Sequence, residues 1–303
     1  MDENAVIVDG LVKRYGNNMA VDGISFEVKK GEVFGLLGPN GAGKTTTLEC
    51  LEGMRAADQG SLTVAGCDPQ KDGRALRQKL GVQLQASSLP DCIHVDEAMA
   101  LVCSWHGLQG RDDLLGQFGL APLRKKQYHA LSTGQKRRLH LALALATDPA
   151  VVVLDEPTAG LDVQGRAELH EAVRSLKASG MTVLLATHDM AEAETLCDRI
   201  AILINGKVAV CGTPTQVTAA GNTETRVRIR TAKNSLMPRC EIEGARFIKA
   251  EEGYCSWVCG DISVSVMDLL QRVKSAGDTV EDMRVERPSL EERFMELVEG
   301  VKA

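Results

Sequence analysis

The feature that most constrains this chain is the run Gly38-Pro39-Asn40-Gly41-Ala42-Gly43-Lys44-Thr45, which satisfies the spacing GxxxxGK[ST]. It follows an apolar stretch, residues 33–37, that reads as a buried strand, and it precedes residues 46–52, which read as a helix. Glycines at this spacing let the backbone turn its N–H groups inward, and the helix N-terminus that follows adds a favourable dipole, so the loop is suited to holding phosphate oxygens. In that geometry Lys44 meets β- and γ-phosphates and the Thr45 hydroxyl holds Mg²⁺. A strand–loop–helix unit of this kind belongs to a parallel sheet covered by helices, which sets aside all-α and all-β folds.

The rest of the chain keeps that rhythm. Short apolar runs at residues 151–154, 181–186 and 200–204 alternate with helical segments, and residues 80–85 form a further expected strand. The run at 151–154 ends in Asp155-Glu156-Pro157, which sets two carboxylates at a C-terminal sheet edge, where ligands bind in α/β folds. There Asp155 is suited to orienting a metal-bound water, and Glu156 to accepting a proton from an attacking water. Residues 135–146 place Leu139, Ala142, Leu143 and Ala146 along one stripe of a helix. Over residues 5–35, by contrast, Val6, Val8, Ile24, Phe26 and Val28 alternate with polar neighbours, which predicts strands joined by turns at Gly16 and Lys30-Gly31.

The β/α rhythm stops in the small, polar segment 212–225, and a boundary is expected there between residues 1–220 and 221–303. Beyond it, Val227 and Ile229 alternate with Arg226, Arg228 and Arg230, while Cys255, Trp257 and Cys259 share a strand face. A helix is expected over 266–276. Pro288 and the pattern Ser289-x-x-Glu292 announce a last helix with Leu290, Phe294 and Leu297 on one side, so the tail reads as a small α+β domain.

With 44% hydrophobic and 25% charged residues in 303, a disordered or collagen-like chain is excluded. The 35 basic and 41 acidic residues leave a net charge of −6, which argues against binding a bare nucleic-acid backbone. Nine cysteines without a CxxC pair suggest neither a zinc ribbon nor a disulfide framework. The start, MDENAVIVDG, lacks the basic and apolar stretches of a signal peptide, and no apolar run reaches about 18 residues. The expected compartment is a reducing cytoplasm, with any membrane role arising through a partner.

Between the glycine loop and the acidic strand lies Leu131-Ser132-Thr133-Gly134-Gln135. With this segment the chain resembles the ATP-binding cassette ATPases of membrane transporters over roughly residues 5–220. The resemblance implies an α/β P-loop ATPase cassette with a β-subdomain, a parallel-sheet core and a helical subdomain at about residues 88–146. It implies that residues 38–46, from Gly38 through Pro39, Asn40, Gly41, Ala42, Gly43, Lys44 and Thr45 to Thr46, bind ATP. Mg²⁺ would be held by Thr45, Gln85 and, through a water, Asp155. Tyr15 is similar to the aromatic on which adenine stacks. Gln85 is similar to the glutamine that meets Mg²⁺ and the attacking water, and that opens the loop facing the membrane subunit. His188 is similar to the histidine that contacts the γ-phosphate and holds Glu156, so Glu156, His188 and Gln85 would carry catalysis.

The segment at 131–135 resembles the family's signature sequence, with Thr133 where the most common form has glycine. Ser132 and Gly134 open the apolar helix, so free N–H groups and the dipole form a second anion site. In the family, Ser132, Gly134 and Gln135 would complete the nucleotide site of another subunit, which implies a head-to-tail homodimer. Ala159-Gly160-Leu161-Asp162 matches the loop by which two cassettes sense one another. The remaining histidines and the cysteines read as packing or surface residues, and the three arginines at 226, 228 and 230 as an exposed strand face.

The ending PSLEERFMELV resembles the ATP-binding subunits of bacterial drug-exporter-type systems. The expectation is an ATP hydrolase, peripheral at the cytoplasmic face of the cell membrane, that powers export through a separate integral-membrane permease and binds no nucleic acid. The alternative is a soluble cassette ATPase acting on nucleic acid or the ribosome. Such proteins carry two cassettes in one chain, or split the motifs by coils or zinc modules, and neither feature is present. A scaffold that binds ATP without turnover is disfavoured by Glu156 and His188.

Overall fold

The apolar runs read from the sequence become neighbouring strands in the computed structural model, which describes residues 3–84, 88–220, 225–236, 242–286 and 289–300. Contacts divide the chain into two units, residues 1–214 and 215–303. The division falls ahead of the 220/221 boundary expected from composition, because a short helix forms where that segment looked irregular.

In the first unit, β1 (Asn4–Tyr15) and β2 (Asn18–Lys29) form a hairpin, and β3 (Val33–Leu37) leads into α1 (Lys44–Leu51). Then come β4 (Gln59–Val64), α2 (Gly73–Lys79) and β5 (Leu80–Gln83), followed by α3 (Val95–Trp105), α4 (Asp112–Gln117) and α5 (Thr133–Ala144). The unit continues with β6 (Val151–Asp155), α6 (Val163–Ala178), β7 (Thr182–Thr187), α7 (Met190–Leu196), β8 (Arg199–Ile204) and β9 (Lys207–Gly212).

Strands β2-β1-β4 make an antiparallel sheet, and β5-β6-β7-β3-β8-β9 make a second sheet that is parallel except for β9. Helix α1 lies in the core between the sheets. Its Leu48 and Leu51 join Val8, Leu11 and Ile24 of the first sheet to Val153, Leu184 and Ala186 of the second. Phe26 stacks on Phe34 at 5.3 Å across the same interface. The central parallel strands are buried on both faces, which is why they read as unbroken apolar runs rather than alternating ones.

One consequence of this strand order controls the site. Strands β6, β7 and β3 are adjacent and parallel, with Leu37 paired to Thr187 and Asp155 to Ala186. The loops that leave their C-terminal ends therefore converge, although they lie far apart in the chain.

In the first unit, three boundaries beside the site differ from expectation. Helix α1 starts at Lys44 because Gly43, at φ 104°, supplies the left-handed residue that turns the loop into the helix. Helix α5 starts at Thr133, where Ser132 and Gln135 form a reciprocal cap. The strand expected to reach residue 85 ends at Gln83, and Gln85 itself lies outside the described residues.

The second unit holds α8 (Pro214–Ala219) apart from its first residue, β10 (Thr225–Thr231), β11 (Ala245–Glu251), β12 (Tyr254–Cys259), α9 (Ile262–Ser275), β13 (Val280–Glu286) and α10 (Leu290–Gly300). Its sheet runs β11-β12-β10-β13, all antiparallel. Leu269 and Val273 of α9 cover Val227, Ile229, Cys255, Trp257 and Cys259. Helix α9 begins ahead of the expected 266 because the Asp261 carboxylate accepts from the Ser263 and Val264 N–H groups. Ser289 and Glu292 form the expected cap of α10, while Pro288 lies outside the described residues. The three arginines of β10 are ion-paired, Arg226 with Glu292, Arg228 with Glu286 and Arg230 with Glu281, so their row is largely neutralised.

Candidate functional site

The loop between β3 and α1 needs its glycines for space as well as for φ. A Cβ on Gly38 would meet the Leu203 carbonyl oxygen at 2.4 Å, and one on Gly43 would meet that of Ala20 at 2.5 Å. Lys44 is buried, and its Nζ donates to the Gly38 carbonyl at 2.7 Å and to that of Pro39 at 3.3 Å. Glu156 Oε1 is 3.9 Å from the same ammonium. Burial lowers the Lys44 pKa, and the carboxylates of Glu156 and Asp155 oppose that shift.

Thr45 Oγ1 donates to Asp155 Oδ2 at 3.4 Å, while Asp155 Oδ1 is buried without a hydrogen-bond partner. Burial, then the neighbouring Glu156, push the Asp155 pKa up. A carboxylate oxygen left orphaned beside a hydroxyl is a donor set that suits Mg²⁺ or a water bound to it, so these residues fit the metal.

Glu156 adopts φ 49°, a left-handed conformation that costs a residue with a Cβ about 1–2 kcal/mol. Its N–H donates to the Ala186 carbonyl at 2.9 Å, which ties the bend to β7. The turn directs the buried carboxylate toward the loop leaving β7, where His188 Nδ1 lies 2.6 Å from Glu156 Oε2. His188 is more exposed than its partner, with 59% of its side chain open to solvent against 8% for Glu156.

A cavity of about 280 Å³ is lined by Tyr15 and Asn18–Ala20 on one side and by Asn40, Gly41, Gly43, Lys44, Thr45, Thr46 and Glu156 on the other. The Tyr15 ring is half-open to solvent, with the Arg55 guanidinium 5.3 Å and Lys13 Nζ 5.8 Å from its centroid. The structure thus gathers the glycine loop, Asp155, Glu156 and His188 at the C-terminal edge of the parallel strands, while Tyr15 of the first sheet lines the same cavity as the loop and Glu156. No sequence motif marks Asn18, Met19 and Ala20 as part of this cavity. Their only signal is the hairpin, which pairs Asn18 with Tyr15.

Ser132, Gly134 and Gln135 lie elsewhere. With Thr133 and Arg138 they face Gly160, Leu161, Asp162, Gln164, Gly165 and Glu168 across a polar cavity of about 400 Å³ that no glycine-loop residue lines among the described residues. Ser132 Oγ accepts from the Gln135 N–H at 3.2 Å, and Gln135 Oε1 accepts from the Ser132 N–H at 3.1 Å. Asp162 caps α6 by accepting from the Gly165 N–H at 2.8 Å. Arg138 pairs with Glu168 across the cavity at 3.3 Å, a contact between two helices that no local pattern announces.

Residues 21–159 match the protein family described as ABC transporter. Across 98% of this chain and 96% of that relative, the sequence is 36% identical to daunorubicin resistance ATP-binding protein DrrA3 of Streptomyces coeruleorubidus. The chain belongs to the ABC transporter family. This ABC protein is also 42% identical to Nod factor export ATP-binding protein I of Paraburkholderia xenovorans (strain LB400), across 73% of the chain and 74% of that relative. Among solved structures, an ATP-binding subunit of an ABC transporter superposes with a TM-score of 0.65 at 27% identity, over 71% of this chain and 92% of that one. The ABC chain is therefore an ATPase subunit, with the cassette fold that its sequence resembled.

Proposed function

We propose that this ATPase energises export of a substrate through a separate membrane permease, and that it works in a head-to-tail pair. The observation that carries the pairing is the separation of the two cavities. Lys44, Thr45, Asp155 and Glu156 gather at one, while the N–H groups opening α5 face the other, so each chain brings half of two composite sites. The positive end of the α5 dipole then meets the phosphates of the partner's nucleotide.

Within one site, Tyr15 offers its ring face to adenine and the loop N–H groups take the phosphates. Lys44 adds a buried positive charge. Glu156 accepts the proton of a water attacking the γ-phosphate in line, and His188 holds that carboxylate in place. Thr45, Asp155 and Gln85 are the residues that would hold Mg²⁺, which when bound neutralises phosphate charge.

Export is supported by the names of two relatives, one a drug-resistance protein and one a Nod factor exporter. Among the described residues, no helix is long and apolar enough to cross a membrane. A groove of about 770 Å³ beside β5, lined by Arg74, Arg77, Leu80, Val82, Trp105 and their neighbours, fits a helix of such a permease, and Trp105 stands 86% exposed at its rim.

The test is fractionation with an ATPase assay. Expressed alone, the chain should stay in the supernatant; with its permease it should move to the membrane fraction at the cytoplasmic face. Trp105→Ala should weaken that movement while leaving ATP affinity within about twofold. Co-purification with ribosomes or DNA, and indifference to the permease, would favour a cassette acting on nucleic acid.

A further inference from the structure

Tyr15 ends β1 at the turn of the hairpin, where 39% of the residue is exposed and no further strand residue follows to confine its ring. Two cations approach that ring. Arg55 Cζ lies over it at 5.3 Å from the centroid, and Lys13 Nζ at 5.8 Å. Neither is among the residues that line the cavity beside Lys44, so both meet the ring rather than the space a nucleotide would fill.

Arg55 is fixed by side chain and backbone alike. Its Nε donates to Glu49 Oε2, its backbone N–H donates to the Glu49 carbonyl at 3.0 Å, and its own carbonyl accepts from Gln70 Nε2 at 2.8 Å. Lys13 is engaged elsewhere: Asp58 Oδ1 accepts from its ammonium at 2.9 Å, and Asp58 Oδ2 accepts from the Arg14 N–H at 2.7 Å, which pins the end of β1. The Arg55 and Glu49 side chains are 46% and 24% exposed, and an ion pair this open to water does little for stability. Its place on the ring gives it another use. Glu49 belongs to α1, five residues after Lys44 and about 7.5 Å further along the helix axis. One helix therefore opens at the phosphate-binding lysine and carries the carboxylate that holds Arg55 against the ring.

We propose that Arg55 is a positioning residue for the nucleotide base: it fixes the Tyr15 ring at the rim of the cavity, so that a ring face is already set when adenine stacks on it. A guanidinium is attracted to the electron-rich face of a phenol ring, and a ring ordered in advance loses less freedom when the base arrives. Through Glu49 and α1 the ring also keeps its place relative to Lys44, so base and phosphates are received by one rigid element. This inference rests on the reading of Tyr15 as the aromatic on which adenine stacks.

The experiment compares full-length wild type, Arg55→Ala, Tyr15→Ala and the double variant, measuring the Kd for ATP and for tripolyphosphate by calorimetry, kcat and KM for ATP, and the melting temperature. Tripolyphosphate carries the phosphates without a base. Arg55→Ala should raise the ATP Kd and KM about three- to fivefold, while kcat and the tripolyphosphate Kd stay within about twofold. In the Tyr15→Ala background the same change should add less than about twofold. An Arg55→Ala chain that binds ATP as wild type does overturns the proposal. So does an equal loss for tripolyphosphate, which would make Arg55 a charge felt by the phosphates, or a full loss that persists without Tyr15.

If Arg55→Ala does not fold, Glu49→Ala decides. It leaves Arg55 in the chain but releases the guanidinium, so the ATP Kd should rise while the tripolyphosphate Kd stays; no rise, or an equal rise for both, overturns the proposal. Tyr15→Ala assayed by itself separates the two readings. Wild-type ATP affinity there removes the role of Tyr15 and this proposal with it, whereas weakened ATP binding there beside an unchanged Arg55→Ala removes this proposal alone.

Discussion

At the scale of single residues, the site depends on charges held close together out of water. Lys44, Asp155 and Glu156 are all buried within one cluster, and the backbone bend at Glu156 persists because its N–H is fixed to Ala186. Lys44→Ala removes the only one of these three that carries positive charge and should abolish nucleotide-dependent function. Glu156→Gln keeps the shape and the hydrogen-bonding atoms but loses the proton acceptor, so ATP binding should persist while turnover falls roughly 10²–10⁴-fold. Binding and phosphate release measured separately check both, and wild-type hydrolysis by Glu156→Gln would refute the role assigned to that carboxylate. These residues were legible because each sits in a short contiguous motif beside a strand. Arg55 was not, since no motif includes it and its meaning comes from its approach to the Tyr15 ring.

At the scale of elements, α5 serves two environments at once. Its first turn opens onto the polar cavity, while Leu139, Leu141 and Ala142 are buried with His140 among them. His140 Nε2 lies 2.9 Å from the Tyr128 hydroxyl, and burial, aided by Arg137 and Lys136, pushes its pKa down to about 4 from the usual 6.5. Between those values the unfolded chain binds the proton and the folded chain does not, so stability rises with pH in this window. The neutral histidine's contribution is complete above about pH 6.5 and is lost as pH falls through 4, at most about 3 kcal/mol in all. Urea midpoints of wild type should therefore fall more steeply between pH 6.5 and 4 than those of His140→Gln, and parallel profiles would contradict this account. The apolar stripe of α5 was visible in its spacing. That His140 is buried was not, because its partner Tyr128 belongs to a separate short turn.

At the scale of the whole molecule, the proposed pairing makes each of the two cavities half of a site that a second chain completes. ATP with Mg²⁺ should drive dimerisation, hydrolysis should release it, and Glu156→Gln should trap the pair. Mixing a Lys44→Ala chain with a Ser132-defective one leaves one complete site per heterodimer, because the intact glycine loop of one meets the intact α5 N-terminus of the other. Activity should therefore reappear on mixing. If Glu156→Gln remains monomeric by light scattering at saturating ATP, with the permease present, the paired arrangement fails.

By itself, the sequence determined which residue types stand next to which: the glycine loop after an apolar strand, two carboxylates at the end of another, and a histidine after a third. Those are local facts, written in hydrophobic period and in the conformational freedom of glycine. Only the tertiary structure decided that β6, β7 and β3 are neighbours, so that Lys44, Glu156 and His188 meet, and that residues 132–135 face a different cavity. Strand order is not encoded in any one strand's pattern, because every buried parallel strand presents the same apolar faces. It emerges from how the helices between the strands cross the sheet and from which buried surfaces they close together.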